Sequence, residues 1–495
     1  MRIFESYKNF MNTEIRALEP KSVWNKFVDL NAVPRPSKKE ERVIQFMLDF
    51  GKSLKLKTFK DEVGNVIIRK PATKGYENRK IITLQSHLDM VHQKNNDTVF
   101  DFDTQGIDMY VAEDWVKAKG TTLGADNGLG VATIMALLER TDIPHPELEA
   151  LFTIDEETGM TGAMGLKAGV LKGAILLNLD TEEDDEIDIG CAGGIDVTAA
   201  RNYKEKLSGI GAIAFEITVK GLSGGHSGMD IHKGLGNANK IMNRLLYSAS
   251  EKFRVRISEI NGGSLRNAIP RESVAVVTVD KAHKDDFLKE FNSWSATIKT
   301  ELKVQEPDLT IGLIETKKPK RVMGSRAQDK FLKAMYAAQN GVYAMSAAME
   351  DLVETSNNIA KVKVANGKIH IGCLTRSSVN SAKLDLANTL KCTFELAGFS
   401  VDFSGEYPGW NPNPNSAILK VLKAQYKKVF NEEPKVVACH AGLECGILGQ
   451  NYPDMDMISY GPTIKGAHSP DERVSISSVQ KFWKFTLDIL KNIPE

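Results

Sequence analysis

The sequence has few cysteines, no net charge and no long apolar run, and each of these absences excludes a class of protein. Its 495 residues include only five cysteines, and no two of them form a CxxC pair. An odd number of scattered cysteines argues against a disulfide framework and is typical of a reducing compartment. The cysteines are Cys191, Cys373, Cys392, Cys439 and Cys445.

Charge and hydropathy give no sign of a polyanionic or lipid partner. Lys+Arg and Asp+Glu both number 64, so the formal net charge is zero. We therefore expect neither nucleic acid nor an anionic membrane as a partner. No stretch approaches the ~20 apolar residues of a membrane span, and residues 1–20 lack the apolar centre of a signal peptide. These features predict a cytoplasmic protein.

The pattern of apolar residues predicts two domains. A hydrophobic content of 42% over this length is enough for more than one core. In residues 1–189 and 401–495, short apolar runs alternate with helical patterns, which predicts an α/β domain with a mostly parallel sheet flanked by helices. Between 190 and 400, alternating strands such as 212–220 and amphipathic helices predict an inserted α+β domain.

Several apolar runs in the α/β part end in residues that bind metals. The run that begins at Ile81 leads into His87, and later runs lead into acidic residues. Because the carboxyl ends of parallel strands meet at one edge of a sheet, we expect these side chains to lie close together. The candidate metal ligands are His87, Asp126, Glu157, Asp180 and His468.

Two imidazoles and three carboxylates suit a pair of divalent ions, and histidine favours zinc. Each ion could take one histidine and one carboxylate of its own, with the third carboxylate bridging. Without metal, three buried acids would repel one another. Asp89 is spaced to hold the free ring nitrogen of His87, and Glu156 is the candidate general base.

Other interpretations of these segments remain open at this level. Each acid taken singly is equally well explained as a solvated strand end. The glycine-rich segment 120–130 precedes a helix, but it has neither GxGxxG nor Walker spacing, so it favours nucleotide binding only weakly. The acidic run 182–186 is typical of a solvated face or a domain boundary.

Seven motifs, spread over essentially the whole chain, together resemble a known family. They are HLDMV, TTLGADNG, TIDEETG, LLNLDTE, GLSGGHSG, HAGLECG and GAHSPDE. They resemble the co-catalytic zinc metallopeptidase family that includes carnosinases, peptidase T and aminoacylase, and within it the branch of aminoacyl-histidine (Xaa-His) dipeptidases. The resemblance implies that Asp126 bridges two zinc ions, with cobalt or manganese as alternatives. It implies that His87 and Asp180 complete one site, that Glu157 and His468 complete the other, and that a cis peptide follows Asp126.

The resemblance also assigns roles to the inserted segment. Residues 190–400 would be a lid, substrate-binding and dimerisation domain, in which His226 stabilises the oxyanion of the reaction. Asn267 and Arg376 would bind the carboxylate end of the substrate. From the residues alone, a histidine in a glycine loop such as His226 is more often a turn residue. Arg376 is equally well explained as an exposed charge at a strand edge. Whether His226 acts within its own chain or across a homodimer stays open.

One loop departs from the family pattern. Where many relatives carry Gly-Gly-Thr/Ser-Asp, this chain has the sequence HAGLECG at 440–446. The roles of His440 and Glu444 in recognising a substrate terminus therefore stay open.

The resemblance implies a metal-dependent dipeptidase that hydrolyses short unblocked dipeptides, including carnosine-like Xaa-His. A zinc-activated hydroxide would attack the peptide bond, with Glu156 as the general base. The alternatives are an aminotripeptidase or an N-acyl amino acid amidohydrolase of the same fold. An alternative of another class is a catalytically inactive metal-binding or scaffold protein.

Overall fold

The computed structural model describes residues 12–495, so residues 1–11 of the N-terminal segment considered above lie outside the described part. The chain divides into two compact units. The first unit consists of the segment up to Gly190 together with Pro412–Ala438 and Glu444–Glu495, and the second consists of Cys191–Asn411 and Cys439–Leu443. The predicted insertion ended at 400, but strand Ser400–Tyr407 pairs with strand Gly193–Asn202 of the second unit. The second unit therefore extends past that residue.

The main sheet of the first unit is mixed. In spatial order its strands are Lys57–Lys60, Val66–Lys70, Leu148–Thr153, Ile82–His87, Ile175–Asn178, Asp456–Ser459, Glu186–Cys191 and Lys435–Cys439. The third to sixth strands in this order are parallel, whereas the flanking strands whose pairing is resolved are antiparallel. The prediction of a mostly parallel sheet therefore holds only for the middle of the sheet. Short loops such as 61–65 allow antiparallel hairpins, while parallel neighbours need a crossover.

Helices and a small second sheet complete the first unit. The helices are Thr13–Arg16, Lys21–Asn31, Glu41–Ser53, Ala125–Glu139, Thr161–Gly165, Ala417–Phe430, Glu444–Asn451 and Ile476–Lys491. Every residue of strand Ile82–His87 is buried, as expected for a strand covered on both faces. The small sheet contains, in order, strands Ile464–Lys465, Arg473–Ser475, Trp115–Ala118 and Met109–Ala112.

The second unit is built on a nine-stranded sheet whose strand pairs are antiparallel. Along the sheet the strands are Thr310–Thr316, Ala212–Lys220, Ser273–Asp280, Arg256–Gly262, Val353–Ala365, Lys368–Ser377, Gly193–Asn202 and Ser400–Tyr407, with Gly341–Met345 beside Val353–Ala365. Two two-stranded sheets pair Glu205–Leu207 with Arg321–Met323 and Gly225–His226 with Ala268–Ile269. The strand predicted at 212–220 is confirmed.

Four α-helices pack their apolar faces into the core of the second unit. They are Ala238–Phe253, Lys284–Glu301, Ser325–Ala337 and Asn380–Leu396, and the 3₁₀ helices are Ile231–Lys233 and Lys281–His283. Phe287, Phe331 and Phe394 are among the buried side chains that these helices contribute. The predicted inserted α+β architecture is confirmed. In the described part of the chain, no helix has both the length and the apolar character that a membrane crossing requires.

Candidate metal centre

Parallel strands bring two of the predicted ligands to one edge of the main sheet. His87 is the last residue of strand Ile82–His87, and Asp180 follows strand Ile175–Asn178. Because these strands are parallel neighbours, the two side chains leave the sheet at the same edge. His87 Nε2 lies 3.5 Å from Asp180 Oδ1.

The adjacent glutamates lie in a turn at the same edge. Glu156 and Glu157 follow strand Leu148–Thr153, which is the other parallel neighbour of His87's strand. The residue before them, Asp155, has a positive φ of 54°. This left-handed conformation is uncommon outside glycine, and it turns the chain sharply out of the strand. Consecutive glutamates can therefore point their carboxylates at different neighbours.

Asp126 lies in the first turn of helix Ala125–Glu139, in a non-helical conformation. The peptide bond to Asn127 is cis, as predicted. His468 lies in the turn between strands Ile464–Lys465 and Arg473–Ser475 of the small sheet. Its φ is 63°, and its side chain is 57% exposed.

The carboxylate of Asp126 lies between the two histidines. Its Oδ1 is 3.1 Å from His87 Nε2, and its Oδ2 is 3.3 Å from His468 Nε2. Each histidine also faces a second acid: His87 faces Asp180, and His468 Nε2 lies 3.0 Å from Glu157 Oε2. The five predicted ligands thus form two sets of three donors, each set within 4.8 Å, that share Asp126.

Asp89 connects the ring of His87 to the glutamate turn. Its Oδ1 lies 3.4 Å from His87 Nδ1, and its two oxygens accept hydrogen bonds from the N–H groups of Glu156 and Glu157 at 3.0 and 3.3 Å. Asp89 is therefore placed to orient the imidazole, through its backbone carbonyl oxygen at 3.2 Å from Nδ1 as well as through its carboxylate. Glu156 also lies within 4.8 Å of His87 and Glu157, so its geometry suits a ligand as well as a base.

The two histidines and Asp126 stabilise one another's charged forms. Burial opposes ionisation of Asp126, but hydrogen bonds from His468 and His87 outweigh it and hold the pKa of Asp126 below its ordinary value. Burial likewise opposes a charge on His87, yet Asp180 and Asp126 raise its pKa well above the ordinary value. Hydrogen bonds to Asp126 and then Glu157 raise the pKa of His468 to about 11.

Burial and mutual repulsion disfavour the charged forms of the remaining carboxylates. Burial, reinforced by neighbouring negative charge, raises the pKa values of Glu156, Glu157 and Asp180, although His87 partly offsets the effect. Glu157 Oε1 and Asp180 Oδ1 are buried and have no hydrogen-bond partner among the described residues. A divalent cation would relieve both the repulsion and the missing contacts, and the mixed nitrogen and oxygen donors suit zinc. The residues present therefore fit a metal.

Glu444 is anchored in the first unit by side chains of the main sheet. Its Oε2 accepts hydrogen bonds from Gln85 Nε2 and Thr153 Oγ1, both at 2.6 Å. Its Oε1 is buried without a hydrogen-bond partner in the described chain, and burial raises its pKa to about 8.

In the second unit, a buried arginine contacts neutral groups. Arg376 is 4% exposed. It donates hydrogen bonds to Tyr407 Oη at 2.8 Å and Ser227 Oγ at 3.3 Å, and its Nη2 lies 3.4 Å from His226 Nε2. No carboxylate among residues 12–495 forms an ion pair with it. An unpaired buried guanidinium is costly, so this cluster suits an anionic ligand.

Two histidines flank Arg376. His226, on strand Gly225–His226, accepts N–H hydrogen bonds at Nδ1 from Gly228 and Met229 at 3.3 and 3.0 Å. From these two contacts we infer that the neutral ring carries its proton on Nε2, which is then a donor, so that its 3.4 Å approach to Arg376 Nη2 is not a hydrogen bond. His440 Nε2 lies 2.7 Å from Ser356 Oγ. Burial, then the charges of Arg376 and His226, lower the pKa of His440 to about 3.

The match of the chain to a protein-family model decides the family. The model of peptidase family M20/M25/M40 matches residues 83–492. The chain belongs to this family. The match includes His87, Asp126 and His468 as well as the inserted unit.

Individual relatives match nearly the whole chain. The cytosol non-specific dipeptidase of Escherichia coli (strain K12) is 43% identical over 483 residues, which are 97% of this chain and 99% of that protein. The crystal structure of aminoacylhistidine dipeptidase from Vibrio alginolyticus has a TM-score of 0.91 and 44% identity, covering 98% of this chain and 99% of that one. Aminopeptidase PepT from Bacillus cereus ATCC 10987, at 16% identity and TM-score 0.57 over 96% of this chain and 99% of that one, shares the fold.

Asn267 adjoins the arginine cluster through its backbone. Its carbonyl oxygen accepts a hydrogen bond from the Ser227 N–H at 2.8 Å, and the residue is exposed. The predicted substrate-binding residue thus lies next to Ser227, which in turn contacts Arg376.

Two acids near the candidate metal centre were missed by sequence reasoning. Glu182 belongs to the run interpreted as a solvated face, but burial and then the charges of Asp126 and Asp180 raise its pKa to about 8. Glu472 is 3% exposed and contacts the turn that carries Asp126. The only signal for Glu472 was its place in the motif GAHSPDE.

Proposed function

We propose that this protein is a metal-dependent dipeptidase that hydrolyses short unblocked dipeptides, including Xaa-His. The observation that carries the proposal is Asp126, whose two carboxylate oxygens each face a different histidine. Membership of the peptidase family supports peptide-bond hydrolysis. The names of the Escherichia coli and Vibrio alginolyticus relatives support dipeptides, and the second supports C-terminal histidine.

The resident cofactor in this proposal is a pair of divalent ions, zinc in preference to cobalt or manganese. His87, Asp126 and Asp180 would hold one ion, and Asp126, Glu157 and His468 the other. Bound there, the ions supply Lewis acidity that polarises a peptide carbonyl and makes water reactive near neutral pH. The mixed imidazole and carboxylate donors support zinc.

Glu156 is the proposed general base, which takes a proton from the attacking water and delivers it to the leaving amine. Burial and nearby carboxylates raise its pKa well above the ordinary value, which makes its carboxylate a better proton acceptor. Asp89 orients His87 through Nδ1. Because Asp89 also binds the Glu156 N–H, one side chain aligns both groups.

The inserted unit provides the proposed contacts with the substrate. Arg376 binds the substrate carboxylate, supported by its burial without an ion pair in the described chain. His226 donates from Nε2 to the oxyanion that forms as the peptide bond is attacked. Asn267 and His440 assist at the carboxylate end, where the neutral His440 offers hydrogen bonding and leaves the positive charge to Arg376.

Glu444 is the proposed contact for the substrate's free amino group. Its buried Oε1 lacks a hydrogen-bond partner among the described residues, and an ammonium group would supply one. A free amino group is what distinguishes an unblocked dipeptide from an N-acyl amino acid. The same contact therefore argues against the amidohydrolase alternative.

A side-by-side assay tests the substrate class. We expect β-Ala-His and Gly-His to be hydrolysed with kcat/KM at least about 100-fold above that for a tripeptide or an N-acetyl amino acid, since unpaired buried polar groups penalise the wrong substrate strongly. Preferred cleavage of the tripeptide or the N-acetyl compound would contradict the proposal. So would the absence of any hydrolysis by metal-loaded protein.

We also propose a cytoplasmic location, which the name of the Escherichia coli relative and the scarcity of cysteine support. A homodimer is compatible with the family resemblance. Light scattering of the full chain would measure the assembly directly.

A further inference from the structure

The carboxylate of Glu472 holds the turn from which Asp126 projects. Its Oε2 accepts hydrogen bonds from the N–H groups of Leu123 and Gly124 at 2.7 and 2.9 Å. Its Oε1 accepts from the N–H groups of Ala125 and Asp126 at 2.7 and 3.2 Å. Such N–H groups have no intrahelical partner at a helix start. One side chain from a distant segment therefore fixes all four.

Arg35 joins this turn to the turn that follows His87. Its Nη1 donates to the carbonyl oxygens of Leu88 and Asp89 at 3.1 and 3.0 Å, and its Nη2 donates to that of Gly124 at 2.6 Å. Gly124 makes room for the guanidinium, since a Cβ there would lie 2.6 Å from Nη2, and its φ is 68°. The planar fork of arginine donates in fixed directions from two separate nitrogens, whereas the ammonium of a lysine is a single compact point charge.

Both side chains are buried deeply enough for these contacts to matter. Arg35 is 2% exposed and Glu472 is 3% exposed. Burying each charge is costly unless it is hydrogen-bonded. Both oxygens of Glu472 accept from backbone N–H groups, and both terminal nitrogens of Arg35 donate to backbone carbonyl groups of the two turns. A shift of either turn would break several of these bonds at once. The two turns carry His87 and Asp126, which face each other at 3.1 Å.

We propose that Arg35 and Glu472 are positioning residues that set the spacing between His87 and Asp126 and thereby the metal affinity of the candidate centre. This inference rests on the proposed function, because it assumes that the centre holds metal. Neither residue is assigned a part in the chemistry itself. They act through the backbone of the ligand turns.

Zinc titration of metal-free protein with a competing chromophoric chelator tests the inference. Glu472→Gln keeps the shape of the side chain but turns an NH₂ group toward two N–H donors. Glu149→Gln is the matched control, because Glu149 is also buried and accepts from Arg69 Nε and Lys172 N–H at 2.7 and 2.8 Å. Arg35→Lys, with Arg69→Lys as its control, provides a second variant that keeps the charge.

We expect Glu472→Gln and Arg35→Lys to bind zinc about 10- to 100-fold more weakly than wild type, the usual effect of losing a group that orients ligands. Excess zinc should restore most of the kcat of both. The Glu149 and Arg69 controls should lower Tm equally in metal-free and metal-loaded protein and leave zinc affinity unchanged.

Wild-type zinc affinity in both Arg35 and Glu472 variants, with Tm losses like those of the controls, would overturn the inference while leaving the proposed function intact. A wild-type protein that binds no divalent metal would overturn the proposed function itself, and the inference with it. Zinc binding that is weakened in the Glu472 and Arg35 variants but not in the controls would support the inference.

Discussion

The candidate metal centre of the first unit and the Arg376 cluster of the second unit carry opposite charges that the fold leaves uncompensated. The first collects carboxylates whose pKa values burial raises, and two of their oxygens lack hydrogen-bond partners in the described chain. The second buries a guanidinium against hydroxyl and imidazole groups. A fold tolerates buried charge of one sign where a ligand of the other sign completes it. The first cluster thus suits cations and the second an anion.

Charges elsewhere in the same units show the contrast. The buried Glu149 of the first unit pairs with Arg69 at 2.7 Å, and the half-buried Arg266 of the second unit pairs with Asp196 at 3.1 Å. These charges are completed within the chain and need no ligand. What distinguishes a binding cluster here is the lack of an internal partner, because burial is common to both kinds of site.

The largest expected effect separates two adjacent residues of the first cluster. Glu156→Gln should lower kcat by about 10²- to 10⁴-fold with metal content unchanged, since a general base contributes that much. Glu157→Gln should instead lower metal content, because Glu157 faces His468. The measurements are steady-state kinetics on Gly-His and metal analysis of both proteins. Loss of metal from Glu156→Gln would make Glu156 a ligand, and near-wild-type kcat would exclude it as the base.

A smaller effect is expected from the second cluster. Arg376→Lys should lower kcat/KM for a dipeptide by about 10- to 100-fold, since a hydrogen bond to a charged group contributes about 1.5–3 kcal/mol. The loss should fall mainly on KM and should disappear for the dipeptide amide, which lacks the carboxylate. Arg266→Lys is the control. An equal loss on the acid and the amide would show that Arg376 does not bind the carboxylate.

The smallest effect concerns stability in acid. His440 has a folded-state pKa of about 3, whereas the unfolded chain takes up its proton near the ordinary value of 6.5. Between these values the unfolded state binds more protons, so the free energy of unfolding falls as pH falls. Between pH 7 and pH 5, the free energy of unfolding of His440→Gln should therefore fall by about 2 kcal/mol less than that of wild type. Urea unfolding at both pH values measures this, and parallel decreases in the two proteins would contradict it.

The sequence predicts the parts of the fold and site that depend on local pattern. The apolar run before His87 and the alternation at 212–220 both predict strands that the structure contains. The parallel arrangement of neighbouring strand ends then explains why His87 and Asp180 meet. The resemblance predicts the cis peptide after Asp126, which has no composition or periodicity signal of its own.

Features that depend on distant partners could not be predicted in this way. Nothing in the sequence around Arg35 or Glu472 indicates that both would bind the turn at Gly124, because the two residues are separated by most of the chain. Glu182 looks solvated because its neighbours in sequence are charged, and only the fold half-buries it near Asp126 and Asp180. Tyr407, which contacts Arg376, lies in strand Ser400–Tyr407. The predicted boundary at 400 left most of this strand outside the inserted domain.

Zinc titration of metal-free protein tests the central claim most directly, with Asp126→Asn measured beside wild type. Two zinc ions should bind per wild-type chain and restore hydrolysis of Gly-His, whereas Asp126→Asn should lose tight binding of at least one ion and nearly all activity. A wild-type chain that binds no zinc, or an Asp126→Asn variant with unchanged stoichiometry, affinity and activity, would contradict the account.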